Sequence, residues 1–290
     1  MNNSLKNYKY EILFAVLVAA RATSFVFNKI LLGHIGVMSL LALRFLAAAV
    51  ILIILFPKKI TGINKASLKG GAAIGVAFFL VMVTELMATR TADTSLVSTV
   101  QHVSVILVPI MNAVLTRKMF GVKTAAGAVL AFLGILCFGL KGGSFRGSIW
   151  MSLIAAFMYA TVVILTDKMT TPETDPIAVG MVQLLTMGIL AAVFALFTEK
   201  ITFPSGPSEW AMFVYLVVIC TCFGYTLTPY AQSHISVDRA GIICAVNPAV
   251  AAVMGVLILG EDMGLLGTIG LLLVLSSMIL PYVRLQKNEQ

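Results

Sequence analysis

Between Glu11 and Val283 the chain is almost continuously apolar, cut into ten runs by short polar connections. The runs are Glu11–Leu32, Val37–Phe56, Lys69–Ala88, Thr94–Leu115, Thr124–Leu140, Ser148–Thr166, Pro176–Phe197, Glu209–Pro229, Arg239–Leu259 and Gly264–Val283. Each is close to the ~20 apolar residues that a helix needs to cross a bilayer core. In hydrocarbon every backbone N–H and C=O must be bonded within the protein, so such runs can only be helices. Composition agrees. The chain is 60% hydrophobic and 11% charged, against roughly 45–50% and 25% in soluble domains. The expected class is therefore an all-α integral membrane protein with ten transmembrane helices. No connection is long or polar enough to hold a soluble domain.

The net charge of +8 does not point to nucleic acid, because the basic residues sit in short clusters between the runs. That placement suits lipid headgroups, and the bilayer is the expected partner. With the N-terminus in the cytoplasm, that side holds Lys6, Lys9, Lys58, Lys59, Lys65, Lys69, Arg117, Lys118, Lys123, Lys168, Arg239, Arg284 and Lys287. The other side holds Arg90, Lys141, Arg146 and Lys200. The excess of cations predicts both termini inside, in a multi-pass protein of the cell membrane. Lys6 and Lys9 precede an apolar run as in a signal peptide, but nine more runs follow, so the first run reads as a retained span. Cys137, Cys220, Cys222 and Cys244 all lie within apolar runs and read as packing residues.

The chain also repeats itself. "SFVFNKILL" near Phe25 matches "VVILTDKMT" near Val163, and "VLTRKMFGVKTAAGAVLAFLG" matches "GVLILGEDMGLLGTIGLLLVLS". Gly127 and Gly270 fall at matching places, 143 residues apart. Each unit then holds five spans, residues 1–145 and 146–290. An odd number forces the second unit to insert upside down relative to the first. Two inverted five-helix repeats are a pattern of secondary transporters, with the substrate site near the midplane between the halves.

The chain resembles the drug/metabolite transporter superfamily, specifically its EamA type. The resemblance rests on "SFVFNKILL" with Lys29, "SLLALRFLAAAVIL" with Arg44, "TADTSLVST" and "VILVPIMNAVL", and "CAVNPAVAAVMGVLILGED" with Pro248 and Gly260-Glu261. It implies a ten-helix bundle in which helices one to four of each half enclose a central cavity and the fifth and tenth pack at the periphery. Members move small metabolites, amino acids or drugs, often outward. Two places depart from the pattern. Arg21-Ala22 stands where an aromatic-Gly pair is common, with Tyr159-Ala160 at the matching place in the second half. Arg117-Lys118 replaces the Gly-Glu type of span ending that Glu261 keeps.

A charge at the bilayer centre costs about 2.5–3.5 kcal/mol on insertion scales, so intramembrane charges face a cavity or a partner. Glu85 lies about 22 Å along the third span at 1.5 Å per residue. Gln101 and His102 lie roughly 10–12 Å below the outer end of the fourth by the same rise, and Arg21 is mid-way along the first. Arg21, Glu85 and His102 are expected to share one depth, with Glu85 either locked to Arg21 or exchanging that partner for substrate or a proton. His102 either relays that proton or bonds a neighbouring backbone group. Arg44 takes a structural or a cavity role, and Lys29, near the outer end, is expected to snorkel. Tyr159, Tyr225 and Asn247 are candidates from the second half for lining the cavity, as softer groups that also serve in helix joining; Thr161 and Gln183 are further such groups. Pro109, Pro229 and Pro248 are candidate kinks, whether gating or static. Gly70, Gly71 and Gly75 read as close-packing positions.

No GxSxG, HExxH or Walker A pattern is present, so no catalysis, cofactor or ATP drive is expected, and the histidines are too scattered for a metal site. The expected function is secondary active export of a small polar metabolite, amino acid or organic cation, with proton exchange, by a monomer or homodimer. The joint presence of Glu85, Arg21 and Arg44 leans toward a zwitterion. The alternatives are a non-transporting scaffold or receptor, and an intramembrane enzyme.

Overall fold

A computed structural model describes residues 2–61, 63–117, 119, 121–140, 145–169, 172–224, 227, 231, 234–235 and 237–282. The helices are α1 Asn2–Leu31, α2 Val37–Leu55, α3 Lys65–Thr91, α4a Thr94–His102, α4b Ser104–Thr116, α5 Val122–Leu140, α6 Phe145–Met169, α7 Pro176–Thr198, α8 Pro207–Tyr215, α9a Val237–Cys244, α9b Val246–Leu259 and α10 Gly264–Ile279. A short helix at Pro57–Thr61 follows α2, and α8 runs on as a π-helix over Leu216–Phe223. Among the described residues, eight helices are long and apolar enough to cross a membrane. The eighth and tenth expected spans are shorter apolar helices, Pro207–Phe223 and Gly264–Ile279. The third is longer than its apolar run, because Asn64 Oδ1 accepts the Ser67 N–H at 2.7 Å and starts the helix at Lys65.

The principal packings run between the two halves of the chain. α2 lies along α7, α3 along both α6 and α7, and α5 along α10. The π-helix packs on α1 and α2, α4a and α4b on α6, α9a and α9b on α1, and α4a on α9b. Exchanging each helix for the one five places later leaves this set of pairs unchanged, as an inverted repeat requires. Side-chain contacts obey the same exchange at the α5–α10 crossing. A Cβ on Gly127 would stand 3.0 Å from the Ser277 carbonyl, and one on Gly270 would stand 2.9 Å from that of Gly134. A shift of 143 residues converts the first pair into the second. Small residues let these backbones touch where apolar lipid gives no drive to associate. Gly71 and Gly75 do the same for α3 on α7, where added Cβ atoms would meet Val182 and Thr186.

Helix ends are satisfied across the halves. Glu199 accepts from the Met38 and Ser39 N–H groups at 3.2 and 3.1 Å and so caps α2. Glu261 caps α4a, accepting from Thr94 N–H at 2.7 Å and Ser95 N–H at 3.3 Å. At the other end of the bundle Asp175 caps α7 through the Ile177 N–H at 2.9 Å and pairs with Lys59. Lys29 does not snorkel, as its sequence position suggests it should. Its Nζ donates to Glu261 Oε1 at 2.9 Å and to the Ala92 carbonyl at 2.8 Å, because a carboxylate held at the α4a N-terminus stands within its reach.

Candidate functional site

Seven of the ten spans converge on a central cavity of about 50 Å3. Sequence position decides which side chains reach it. On α1, Arg21, Ser24 and Phe25 fall three and four residues apart, on one helical face. On α3 the same spacing brings Phe78, Met82 and Glu85 to the cavity. Arg44 comes from α2, Gln101, His102 and Ser104 from the fourth span, Tyr159 from α6, Cys220 from the π-helix, and Asn247 from α9b. None of the lining residues comes from α5, α7 or α10.

Glu85 is 4% exposed, and Gln101 Nε2 donates to its Oε2 at 2.6 Å. Arg21 and Arg44 line the same cavity, so the carboxylate sits in a field of two guanidinium charges. Arg44 is 5% exposed. Its Nε donates to Thr221 Oγ1 at 2.8 Å and its Nη1 to Asn28 Oδ1 at 3.4 Å, both neutral oxygens. Thr221 is presented by the π-helix, its hydroxyl donating to the Leu216 carbonyl five residues back at 2.8 Å. Arg21 passes Gly224 so closely that a Cβ there would stand 3.2 Å from the arginine Cδ. His102 Nδ1 is 2.7 Å from the Ser98 carbonyl, one turn back on its own helix. Tyr159 meets the Phe78 ring edge-on, with centroids 5.8 Å apart.

Of the residues singled out from the sequence, Arg21, Arg44, Glu85, Gln101, His102, Tyr159 and Asn247 are brought together. Tyr225 and Pro229 lie outside the described residues. Gln183 is buried in α7, where added bulk on Gly75 would touch its carbonyl, and Thr161 bonds its own helix at the Phe157 carbonyl. Neither lines the cavity. Pro109 is inside α4b. Pro248 stands in the first turn of α9b, three residues after the interruption at Ala245; with no N–H it cannot bond the Cys244 carbonyl four residues back. Ser24, Phe25, Phe78, Met82, Ser104 and Cys220 were not foreseen. Five of the six stand three or four residues from a named polar group or from another lining residue, a signal the sequence carried. Cys220 did not, because the π-helix shifts the register of its face.

The chain covers two matches to one family model, described as the EamA-like transporter family, at residues 9–140 and 146–283. The uncharacterized transporter YetK of Bacillus subtilis is 24% identical over 289 residues, which cover 95% of this chain and 87% of that one. An uncharacterized transporter of Archaeoglobus fulgidus is 24% identical over 221 residues, 74% of this chain and 69% of its own. A WAT1-related chloroplast protein of Arabidopsis thaliana is 28% identical over 142 residues, but the match spans only 34% of that protein's length and 49% of this one. A crystal structure of a protein 14% identical in sequence superposes with a TM-score of 0.68 over 93% of this chain and 96% of its own. That likeness concerns the fold.

Proposed function

The chain belongs to the EamA-like transporter family, and from that premise we propose that it is a secondary transporter exposing the central cavity alternately to the two membrane faces. It exports a small polar metabolite, amino acid or organic cation in exchange for protons. It works in the cell membrane with both termini in the cytoplasm, as the bias of Lys and Arg between the loops favours.

The observation that carries this reading is the seat of Glu85. A carboxylate 4% exposed in the membrane interior costs several kcal/mol unless its charge is used. Structural carboxylates elsewhere in the chain are closed off, Glu261 by Lys29 and three hydroxyl or backbone donors. Glu85 instead lines the cavity, with a neutral amide as its hydrogen-bond donor and two arginines facing the same space. Such a group can exchange a proton for a cationic substrate group as the cavity changes sides. At about 50 Å3 the cavity has room for a few waters, so a substrate enters only after the helices part. That motion must open cross-half ties such as Lys29–Glu261, or Arg239–Glu11 at the opposite end of α1.

The test is flux in proteoliposomes under an imposed pH gradient, with amino acids, polyamines and quaternary amines as substrates. Wild type is expected to drive uptake of at least one class against its gradient. Glu85→Gln is expected to lose gradient-driven flux while keeping its fold. Equal gradient-driven flux in both proteins would remove Glu85 from the mechanism. Absence of any flux in wild type would favour a scaffold or receptor.

A further inference from the structure

The fourth and ninth spans are inverted-repeat mates, and each carries a one-residue interruption within its apolar run. α4a stops at His102 and α4b starts at Ser104; α9a stops at Cys244 and α9b starts at Val246. The intervening Val103 and Ala245 take nearly the same conformation, ψ −19° and −14°. Each donates to the carbonyl three residues back, at 3.2 and 3.1 Å. A one-residue 3-10 tightening within a helix marks a functional hinge in many proteins, and here it recurs at matching places of two repeats, beside residues that line the cavity.

Gln101 stands two residues before one break and Asn247 two residues after the other. Both line the cavity, and both are more than nine-tenths buried, at 5% and 9% exposure. Gln101 gives its amide N–H to Glu85, an acceptor, and this leaves its oxygen pointing away from that bond. Gln101 Oε1 and Asn247 Oδ1 are buried and find no donor among the described residues. Native proteins seldom leave one buried acceptor empty, and here two of the same kind belong to one cavity. The guanidinium of Arg44 donates to Thr221 and Asn28. Neither it nor Arg21, which lines the same cavity, donates to either of these two oxygens, so a pair of acceptors stands ready for a donor beside the Glu85 carboxylate.

We propose that Gln101 and Asn247 together receive the N–H groups of a primary ammonium on the transported ligand, with Glu85 as its countercharge. This deepens the transporter reading and rests on it. A primary ammonium carries three donors and so can serve both acceptors and the carboxylate at once. A quaternary ammonium has the same charge and none of the donors. The site therefore selects among cations by N–H groups, and separates amines and amino acids from fully methylated analogues.

The experiment is calorimetric titration of the full-length protein in detergent with L-alanine, L-lysine and putrescine, with their N-trimethyl counterparts, and with lactate as an acid lacking N–H. At least one primary amine is expected to bind, and its trimethyl counterpart to bind at least ~10-fold more weakly, the loss of more than one hydrogen bond. Asn247→Leu and Gln101→Met are each expected to narrow that gap by ~3-fold or more, the loss of one hydrogen bond, and each to keep one folded melting transition; Gln101→Glu, which keeps an acceptor, is expected to preserve the discrimination. Trimethyl forms binding as tightly as primary amines would overturn the proposal, as would discrimination left undiminished by Asn247→Leu and by Gln101→Met. Binding of lactate alone would overturn it while leaving a transporter standing. Absence of binding and of flux across the whole panel would overturn both.

Discussion

Two buried carboxylates, Glu85 and Glu261, show how differently one residue type can be used within a single bundle. Glu261 has a side chain 4% exposed. It is held by Lys29, by the Thr94 N–H and hydroxyl and by the Ser95 N–H, so its charge is spent on joining α9b to the start of α4a. Removing it strands a lysine and a helix N-terminus together. Glu261→Leu is expected to cost about 3–5 kcal/mol of stability. Lys29→Met should cost less, about 1–3 kcal/mol, because the backbone donors still hold the carboxylate. Melting of the purified protein in one detergent decides the order, and a larger loss in Lys29→Met would refute it. This pair was not legible in the sequence: the partners are 232 residues apart, and nothing local distinguishes a lysine that snorkels from one that finds an acid. The cavity face of α3 was legible, because Phe78, Met82 and Glu85 repeat at helical spacing.

Helix ends carry information that neither residue type nor hydropathy reveals. α9b closes on Gly260 with φ +65°, and α4b closes on Arg117 with φ +54°. The two positions are 143 residues apart, the period of the repeat, so the same left-handed cap is made twice. Glycine takes that conformation freely, whereas arginine is strained by about 1–2 kcal/mol. After allowing for the greater freedom of glycine in the unfolded chain, Arg117→Gly is expected to stabilise by up to about 1 kcal/mol, and an unchanged or lower melting temperature would contradict this. The capping of α7 predicts a pH dependence. Hydrogen bonding to Lys59, aided by the Ile177 and Ala178 N–H groups, holds the Asp175 carboxyl below its ordinary value of 3.8. A depressed folded value means that the contribution is present above the unfolded value and is lost as pH falls through the folded one. The melting difference between wild type and Asp175→Asn should be constant near neutrality and shrink below about pH 4; a gap that widens with acid would reverse the sign.

At the scale of the whole molecule, the halves do not fold as neighbours but interlock, since the principal helix pairs each join one half to the other. The crossing of α5 on α10 shows the exchange symmetry at the level of single contacts. Gly134→Leu and Gly270→Leu would each drive a side chain into the facing backbone, 2.8 and 2.9 Å away at the Cβ. Both are expected to destabilise by about 1–3 kcal/mol or more, and by similar amounts. Gly121→Leu, where an added Cβ meets nothing within 4 Å, is the neutral comparison. If the two crossing variants differed widely, the symmetry of the contacts would not extend to their energies. The fourth and ninth spans, mates under the same exchange, pack on one another, and this brings Gln101 and Asn247 to one cavity.

The sequence by itself determined that this chain crosses a membrane as a helical bundle, that it is made of two related halves, and that a few buried charges must turn inward. Those conclusions follow from local quantities: length of apolar run, period of repeat, and the cost of a charge in hydrocarbon. Only the tertiary structure decided which charge meets which partner, where the fourth and ninth spans break, and which acceptors are left empty. Those outcomes depend on side chains far apart in the chain and on backbone registers, such as the π-helix, that helical periodicity does not encode.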